Sequence, residues 1–541
     1  MKAIRVSIFF IQALSCLLLG NCLLASASER KSVIQVTAIE ITIKEIYSKE
    51  GISWIQEFAN SYHIKTKKHV ILSLLPMKKG DWVSPLQLRE AERLLRKQHY
   101  FRDANLRISK QGVLKVNVSE KWTLFPTINF KRTGRQNNSS FGIRESNLLG
   151  LGVATTLSYK QEPQKSGYRF RVTTPTSFAE HSYASIVLED YDVGSRKTLN
   201  YDQPFYSSET SNMIFFSANN NNLETTFYQN NQDLGVAATQ SDHFELKLGW
   251  LKEYKNNTAY RGLVGLSSYA NDLIDLSTDE LFDLFTVRKK SFLWWGNEKY
   301  ESEYQVLRNI YVISNKEDIN LGTLEHYKIG IGQIEVSPNI LDQSNLDATT
   351  QANMLKFTYS NTQGLLLNRF LALQWIDFNN EIYSASQLTN YLSLNYRLDL
   401  FYPIDNKLSF YSKNQLSYVS QFRETPSAVG GDSGLRGYPT SYQYGKKKWQ
   451  TNFEARYYSD IDIWDTFAVG WVAFIDVGHA WDSMVFSNIE KGTLGSYGIG
   501  VRLFPKIASG RNVLHIDLAR PYSKLKEINS WEWRIQVKST F

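Results

Sequence analysis

The chain has 541 residues, a formal net charge of +8, 13% aromatic and 21% charged residues, and a mean hydropathy of −0.35. That hydropathy excludes a polytopic helical membrane protein, which needs repeated apolar runs of about 20 residues, and the aromatic content excludes a disordered chain. No basic block marks a nucleic-acid partner: the longest runs, Arg288-Lys289-Lys290 and Lys446-Lys447-Lys448, suit solvated loops.

The first 27 residues form a unit of their own. Lys2 and Arg5 precede an apolar stretch that ends in the small residues Ala25-Ser26-Ala27. This is the pattern of a secretory signal peptide, with cleavage expected after Ala27. Cys16 and Cys22, the two cysteines of the chain, both fall inside it. The mature protein is therefore expected to use neither a disulfide nor a thiolate metal site, and to carry a charge of +6 once Lys2 and Arg5 are gone.

From about residue 33 to 121 the chain mixes strand and helix signals. Val36–Ile43 is β-branched and partly alternating, a strand. Ser53–Ser61 is a short amphipathic helix. The clearest element starts at Ser84: Ser84 suits an N-cap, Pro85 the first helical position, and Gln87 at N3 completes a capping box. Leu88, Ala91, Leu94 and Leu95 then make one apolar stripe. Strands are expected at Asn105–Ser109 and Val113–Ser119, with Gly112 in the turn between them.

From Trp122 to Phe541, 420 residues, the period becomes two. Leu392, Leu394, Tyr396, Leu398 and Leu400 point one way; Ser393, Asn395, Arg397 and Asp399 point the other. Phe244–Trp250 and Trp531–Lys538 alternate in the same manner. A soluble sandwich would also alternate, but an exported chain with aromatic strand ends ("FLWWG", "LFYP", "WEW") and no second texture suits a transmembrane β-barrel better. Sixteen antiparallel strands would leave about 26 residues for each strand and its connection. Long polar loops are expected near Asn219–Asp233, Asn271–Glu301 and Pro426–Lys448.

Several segments together resemble a known family. Residues 63–108 ("HIKTKKHV" to "DANLRI"), with Gly80-Asp81 before the helix and Tyr100-Phe101 after it, resemble a POTRA module. Phe141–Tyr159 resembles first barrel hairpins. "GGDSGLRGY" (Gly430, Gly431, Leu435, Arg436, Gly437 and Tyr438 among its residues) resembles an Arg-Gly-aromatic loop that folds back into a barrel lumen. "FIDVG", from Phe474 to Gly478 with Asp476 inside, matches an F-x-D-x-G strand. Asn452–Arg456 matches a strand carrying a lumenal glutamate, here Glu454, and Phe541 stands where the family has a terminal barrel-insertion residue. In this order the segments resemble the BamA/TamA-type outer-membrane assembly proteins, of the bacterial surface antigen class. The resemblance implies a signal peptide (1–27), one small α/β POTRA-like periplasmic module (33–121) and an all-β outer-membrane barrel of 16 strands (122–541) in a Gram-negative cell. It implies a non-enzymatic protein, without cofactor, that assists insertion or translocation of unfolded outer-membrane or secreted polypeptides. Its partners would be those clients, the lipid bilayer, and periplasmic chaperones or lipoproteins. The family's assembly members carry more POTRA modules than the one countable here.

Arg436 is a fixed cation whose fork suits carboxylates, and its glycine-rich loop is otherwise too pliable to hold one place. A buried cation needs a partner, and Asp476 and Glu454 are the expected ones. Two other functions stay open: a pore secreting one dedicated partner, and a hydrolase using Ser433. The second lacks a matching His/Asp motif to serve as base. His63 and His69 come near zinc spacing without further ligands, and Asp460–Asp465 lacks the glycine and glutamate of a calcium loop.

Overall fold

The computed structural model describes residues 33–538 apart from 47–56, 58–60, 62, 134–135, 231, 278–286, 314–315, 337–349, 387, 422–426, 432, 464–466, 483–490, 506–512, 524, 526–527 and 529. The expected signal peptide, most of the expected Ser53–Ser61 helix and Phe541 lie outside the described residues.

The N-terminal module is a three-stranded sheet under helices. Its central strand Val113–Glu120 pairs in parallel with Ala38–Lys44 and antiparallel with Phe101–Ile108. Leu114, Val116 and Val118 are fully buried against Ile71, Ala91 and Leu95, the side of the sheet where period-two and period-3.6 patterns meet. The helix Pro85–Lys97 has its capping box in place: Gln87 N–H donates to Ser84 Oγ at 3.3 Å and Ser84 N–H to Gln87 Oε1 at 2.9 Å. A second helix, Lys68–Ser73, has no counterpart among the sequence expectations.

The remaining chain closes into one antiparallel barrel of 20 strands, which corrects the expected 16. The averaging over long connections fails in the first part of the barrel. Six strands occupy residues 124–203, and the connections at 163–164 and 192–193 are two residues long. The segment Asn219–Asp233, expected as a loop, instead lies mostly in the strands Asn212–Gln229 and Gln232–Lys255. Its polar residues bond across the ladder: Asn220 to Asp242 at 2.7 Å, Asn221 to Ser241 at 3.3 Å, Thr198 to Asn219 at 3.2 Å. Asn271–Glu301 likewise contributes the end of one strand and all of Val287–Glu301. The third expected loop does run between strands, from Val419 to Lys447.

The wall is apolar outside. Ile143, Leu157, Ile186, Leu293, Ile331, Trp471, Ile475 and Ile499 are exposed on the outer face. In the strand Phe467–Trp481, Trp471 and Ile475 point outward while Phe474 and Asp476 are buried inward. A belt of exposed large apolar side chains around a whole barrel fits a bilayer and not water. Adjacent strands share at least seven register pairs, with one exception. The first barrel strand, Leu124–Thr133, and the last, Glu532–Lys538, share one pair among the described residues, Ile535 with Arg132.

The module sits under one end of the barrel, here called the near end. Thr66 Oγ accepts from Asn147 Nδ2 at 2.8 Å, Lys67 N–H donates to the Gly150 carbonyl at 2.9 Å, and Arg93 reaches the Tyr206 carbonyl at 3.3 Å. A cleft of about 970 Å³ remains between helix and barrel rim, lined by Trp82, Arg89, Glu209 and Tyr304 among others.

Candidate functional site

Two inserts enter the lumen, one from each end. The far-end insert is the loop after Leu408–Val419. Gly434 and Gly437 have φ of +111° and +90°, left-handed backbone that glycine adopts without strain; they turn the loop so that Arg436 between them faces the wall. Arg436 Nε donates to Asp476 Oδ2 at 2.7 Å and Nη2 to Asp476 Oδ1 at 2.6 Å. Nη1 donates to Glu454 Oε1 at 2.9 Å, and the backbone N–H of Arg436 to Asp476 Oδ2 at 3.1 Å. The guanidinium carbon lies 3.5 Å from the centre of the Phe474 ring. Arg436 is 4% exposed and Asp476 0%, so these are charges removed from water, where forked, charge-assisted bonds are strong and loss of a partner is costly.

The rest of the loop is tied down by neutral groups. Asn452 Nδ2 donates to the Gly434 carbonyl and to Asp476 Oδ1, both at 2.8 Å. The Tyr438 hydroxyl lies 2.9 Å from the Tyr522 carbonyl and 3.2 Å from that of Gly495. Leu435 and Tyr438 are fully buried. Gly430 and Gly431 close the loop's base: Gly431 N–H donates to the Pro439 carbonyl at 2.9 Å, and a Cβ on Gly430 would stand 2.6 Å from the same oxygen. Gly478 pairs with Gln450 four residues above Phe474. Ser433 Oγ accepts from Gly430 N–H at 2.8 Å and donates to the Gly430 carbonyl at 3.1 Å, which engages its hydroxyl within its own turn.

The near-end insert carries no motif and was missed in the sequence. Between Val287–Glu301 and Leu324–Val336 the chain makes a small hairpin, Tyr304–Arg308 with Lys316–Asn320, whose tip points into the barrel. Val312 and Ile313 pack against Tyr458, Phe474 and Phe504; Ile310, Ile319 and Leu321 pack against Leu371, Leu373, Phe401 and Tyr411. Glu317, fully buried, accepts the N–H groups of Ile310 at 2.9 Å, Tyr311 at 3.0 Å and Val312 at 3.4 Å, an internal nest for a carboxylate. From the wall, Arg456 Nη1 donates to the Ile310 carbonyl at 3.1 Å and the Tyr458 hydroxyl to that of Asn309 at 2.8 Å.

The two inserts meet at one strand. Glu454 accepts from Arg436 of the loop and, at 2.9 Å, from Arg456 Nε, and Arg456 holds the hairpin. Arg456 closes the Asn452–Arg456 motif, so its position was visible; its role was not. A further buried pair, Arg502 with Asp517 at 2.6 Å, lies on the neighbouring strands and had no sequence signal beyond an inward period.

Comparison with known proteins adds to this picture. The POTRA family model, described as a surface antigen variable number repeat, matches residues 58–121. No curated protein matches the chain. Among solved structures the chain is similar to BamA from Haemophilus ducreyi lacking POTRA domains 1–3, at 12% identity over 95% of this chain and 86% of that one, with a TM-score of 0.41. It is similar to CdiB from Acinetobacter baumannii, at 12% identity over 93% and 74% with a TM-score of 0.44, and to CdiB from Escherichia coli, at 10% identity over 95% and 91%, also at 0.44. The protein is a POTRA module joined to a closed β-barrel. That is the architecture which the resemblance to BamA/TamA-type proteins implies.

Proposed function

We propose that the protein sits in a Gram-negative outer membrane and assists insertion or translocation of polypeptides, with residues 1–27 removed as a signal peptide, 33–121 as the periplasmic module and 122–541 as the barrel. The near end then faces the periplasm. The observation that carries this reading is the seam: among the described residues the ring of strands is closed by the single register pair Ile535–Arg132, while the other junctions hold seven or more. Backbone groups along such a seam can pair with an incoming strand without reading its sequence. Within the module the strand Ala38–Lys44 is the outer edge of its sheet, a place to receive an extended client first. Arg436, held by Asp476 and Glu454, serves as the pin that fixes the lumenal loop beside this seam. No bond-breaking chemistry enters the reading.

The test locks the seam. Outside the signal segment the chain has no cysteine, so Arg132→Cys with Ile535→Cys forms the one engineered disulfide. The locked protein should lose client delivery and regain it on reduction; full activity while locked would reject the seam. The protein should also run as a heat-modifiable band from the outer membrane fraction. Deleting 33–121 should leave an inserting barrel that no longer supports its client.

A second reading, a pore for one dedicated partner, draws support from the lumen itself, which is filled by two inserts rather than by wall side chains alone. Secretion of a single partner, with general outer-membrane assembly untouched in a deletion strain, would select it.

A further inference from the structure

We propose that the hairpin 302–323 is an autoinhibitory plug of the barrel lumen, held shut from below by the helix Pro85–Lys97, so that displacement of the module by a client opens the conduit.

The hairpin is too long for the connection it makes. Other near-end connections take two to eight residues, from 256–257 and 368–369 up to 176–182 and 204–211, against 22 here. This one leaves the wall after Glu301, crosses part of the lumen and returns at Leu324. Its tip is built for an interior. Val312 and Ile313 are each 1% exposed, and Glu317 satisfies the tip's own N–H groups so that they need no water. The wall reaches the tip through hydrogen bonds to backbone carbonyls from Arg456 and Tyr458, and Tyr311 Oη donates to Asp399 at 3.4 Å. Its strands form a separate two-stranded sheet, tied to the wall at its foot where Gly364 N–H donates to the Leu321 carbonyl at 3.0 Å. It is inserted in the barrel and is not part of its ladder, so it can leave without breaking the ring.

The outer face is gripped by the module. Arg96 forks onto Asp318, Nη2 to Oδ1 at 2.7 Å and Nε to Oδ2 at 3.0 Å. Lys316 Nζ lies 2.9 Å from Asp103 Oδ2, and Arg93 stands over the Tyr304 ring at 4.6 Å. Arg96 and Asp318 are mostly buried, whereas Lys316 and Asp103 are about 40% exposed. The forked, shielded pair is therefore the latch and the open pair an accessory. Every one of these contacts runs from module to hairpin, so a client that draws the module aside withdraws all of them together. Plug and latch form one element with two arrangements that an occupant of the module can bias.

This inference deepens the reading of the barrel as a polypeptide conduit, but its test needs no client. The purified full-length protein is placed in a planar lipid bilayer and its conductance recorded. The parent should be mostly closed. Asp318→Arg should raise the open fraction several-fold, and Arg96→Asp with Asp318→Arg should return it toward the parent value. Removing 304–320 and bridging the ends with a short Gly-Ser turn should leave a steadily conducting, heat-modifiable barrel. A second readout covers failure of that deletion to fold: Val312→Cys, the sole thiol of the mature chain, should react slowly with a maleimide and several-fold faster when Arg96→Ala is added. Equal conductance of the parent and Asp318→Arg, or equal labelling with and without Arg96, overturns the latch. A folded plug-deleted barrel as quiet as the parent overturns the plug. Gating that behaves as stated while no client is delivered supports the plug and removes the transport reading instead.

Discussion

The far-end loop and the near-end hairpin do the same thing to the lumen by opposite means. The loop is fixed by a side chain: one guanidinium makes three bonds to two buried carboxylates and stacks on Phe474. The hairpin is fixed by apolar burial of its tip and by bonds to its backbone carbonyls and N–H groups, with charged pairs to the module on its outer face. A loop pinned by one cation is specific and brittle. A hairpin seated by burial is tolerant and can slide out when its outer contacts go. The difference also decides what a reader of the sequence can see, because a pin requires particular residue types and a seat requires only apolar ones.

The largest expected effect tests the brittle side. Arg436→Ala leaves Asp476 and Glu454 buried without that cation, a cost on the order of 3–5 kcal/mol. The loop should become cleavable by protease added from outside, while the barrel still inserts. Arg436→Lys should rescue poorly, since a point charge cannot fork across a carboxylate. Arg436→Asp with Asp476→Arg should recover part of either single loss; strictly additive damage in that double-mutant cycle would mean the contact carries no coupling.

Next comes the tolerant side. Glu317→Gln keeps one acceptor oxygen for the three N–H groups and should cost about 1–3 kcal/mol. Hydrogen exchange should quicken at Ile310–Val312 and stay unchanged at Gly434–Tyr438. Equal quickening in both inserts would show that they move as one body. Smaller still is Lys316→Ala: its pair with Asp103 is exposed to water on both sides, and a change within about 0.5 kcal/mol is expected from equilibrium unfolding.

The mildest handle is pH. His181, in the near-end connection 176–182, stacks on Tyr206 at 3.8 Å. Burial, helped by Lys97 and opposed by Glu180, holds its pKa down to about 4 against an ordinary 6.5. It is neutral in the fold, whereas the unfolded chain takes up a proton below pH 6.5. Its stabilising contribution is thus complete above pH 6.5 and is lost as pH falls from there toward 4. Module docking, followed by hydrogen exchange at residues 94–100, should loosen across that window, and His181→Phe should flatten the response.

Sequence showed most where the signal is local. Ser84, Pro85 and Gln87 lie within one turn of the helix they start, and the alternation of Phe467–Trp481 survives in the wall as outward Ile475 and inward Asp476. The strand number was missed because two-residue connections such as 163–164 leave almost no gap in the alternation. The polarity of Asn219–Asp233 suggests a loop, while the amides of Asn219, Asn220 and Asn221 bond across neighbouring strands. Arg436 stood out by its glycine frame. Nothing comparable marks Ile310, whose partner Arg456 is 146 residues further along the chain.

That separation sets an order of events in the life of the chain. Glu454 and Arg456 both belong to the strand Lys447–Ile463, and each serves one of the two inserts. The hairpin is synthesised well before that strand and cannot find its seat until the strand has joined the sheet. Contacts between parts so far apart in sequence form slowly, since the intervening chain must first be closed into a loop. The hairpin's seat is therefore completed only as the late wall strands assemble, since Tyr458, Phe474 and Phe504 lie on three successive ones.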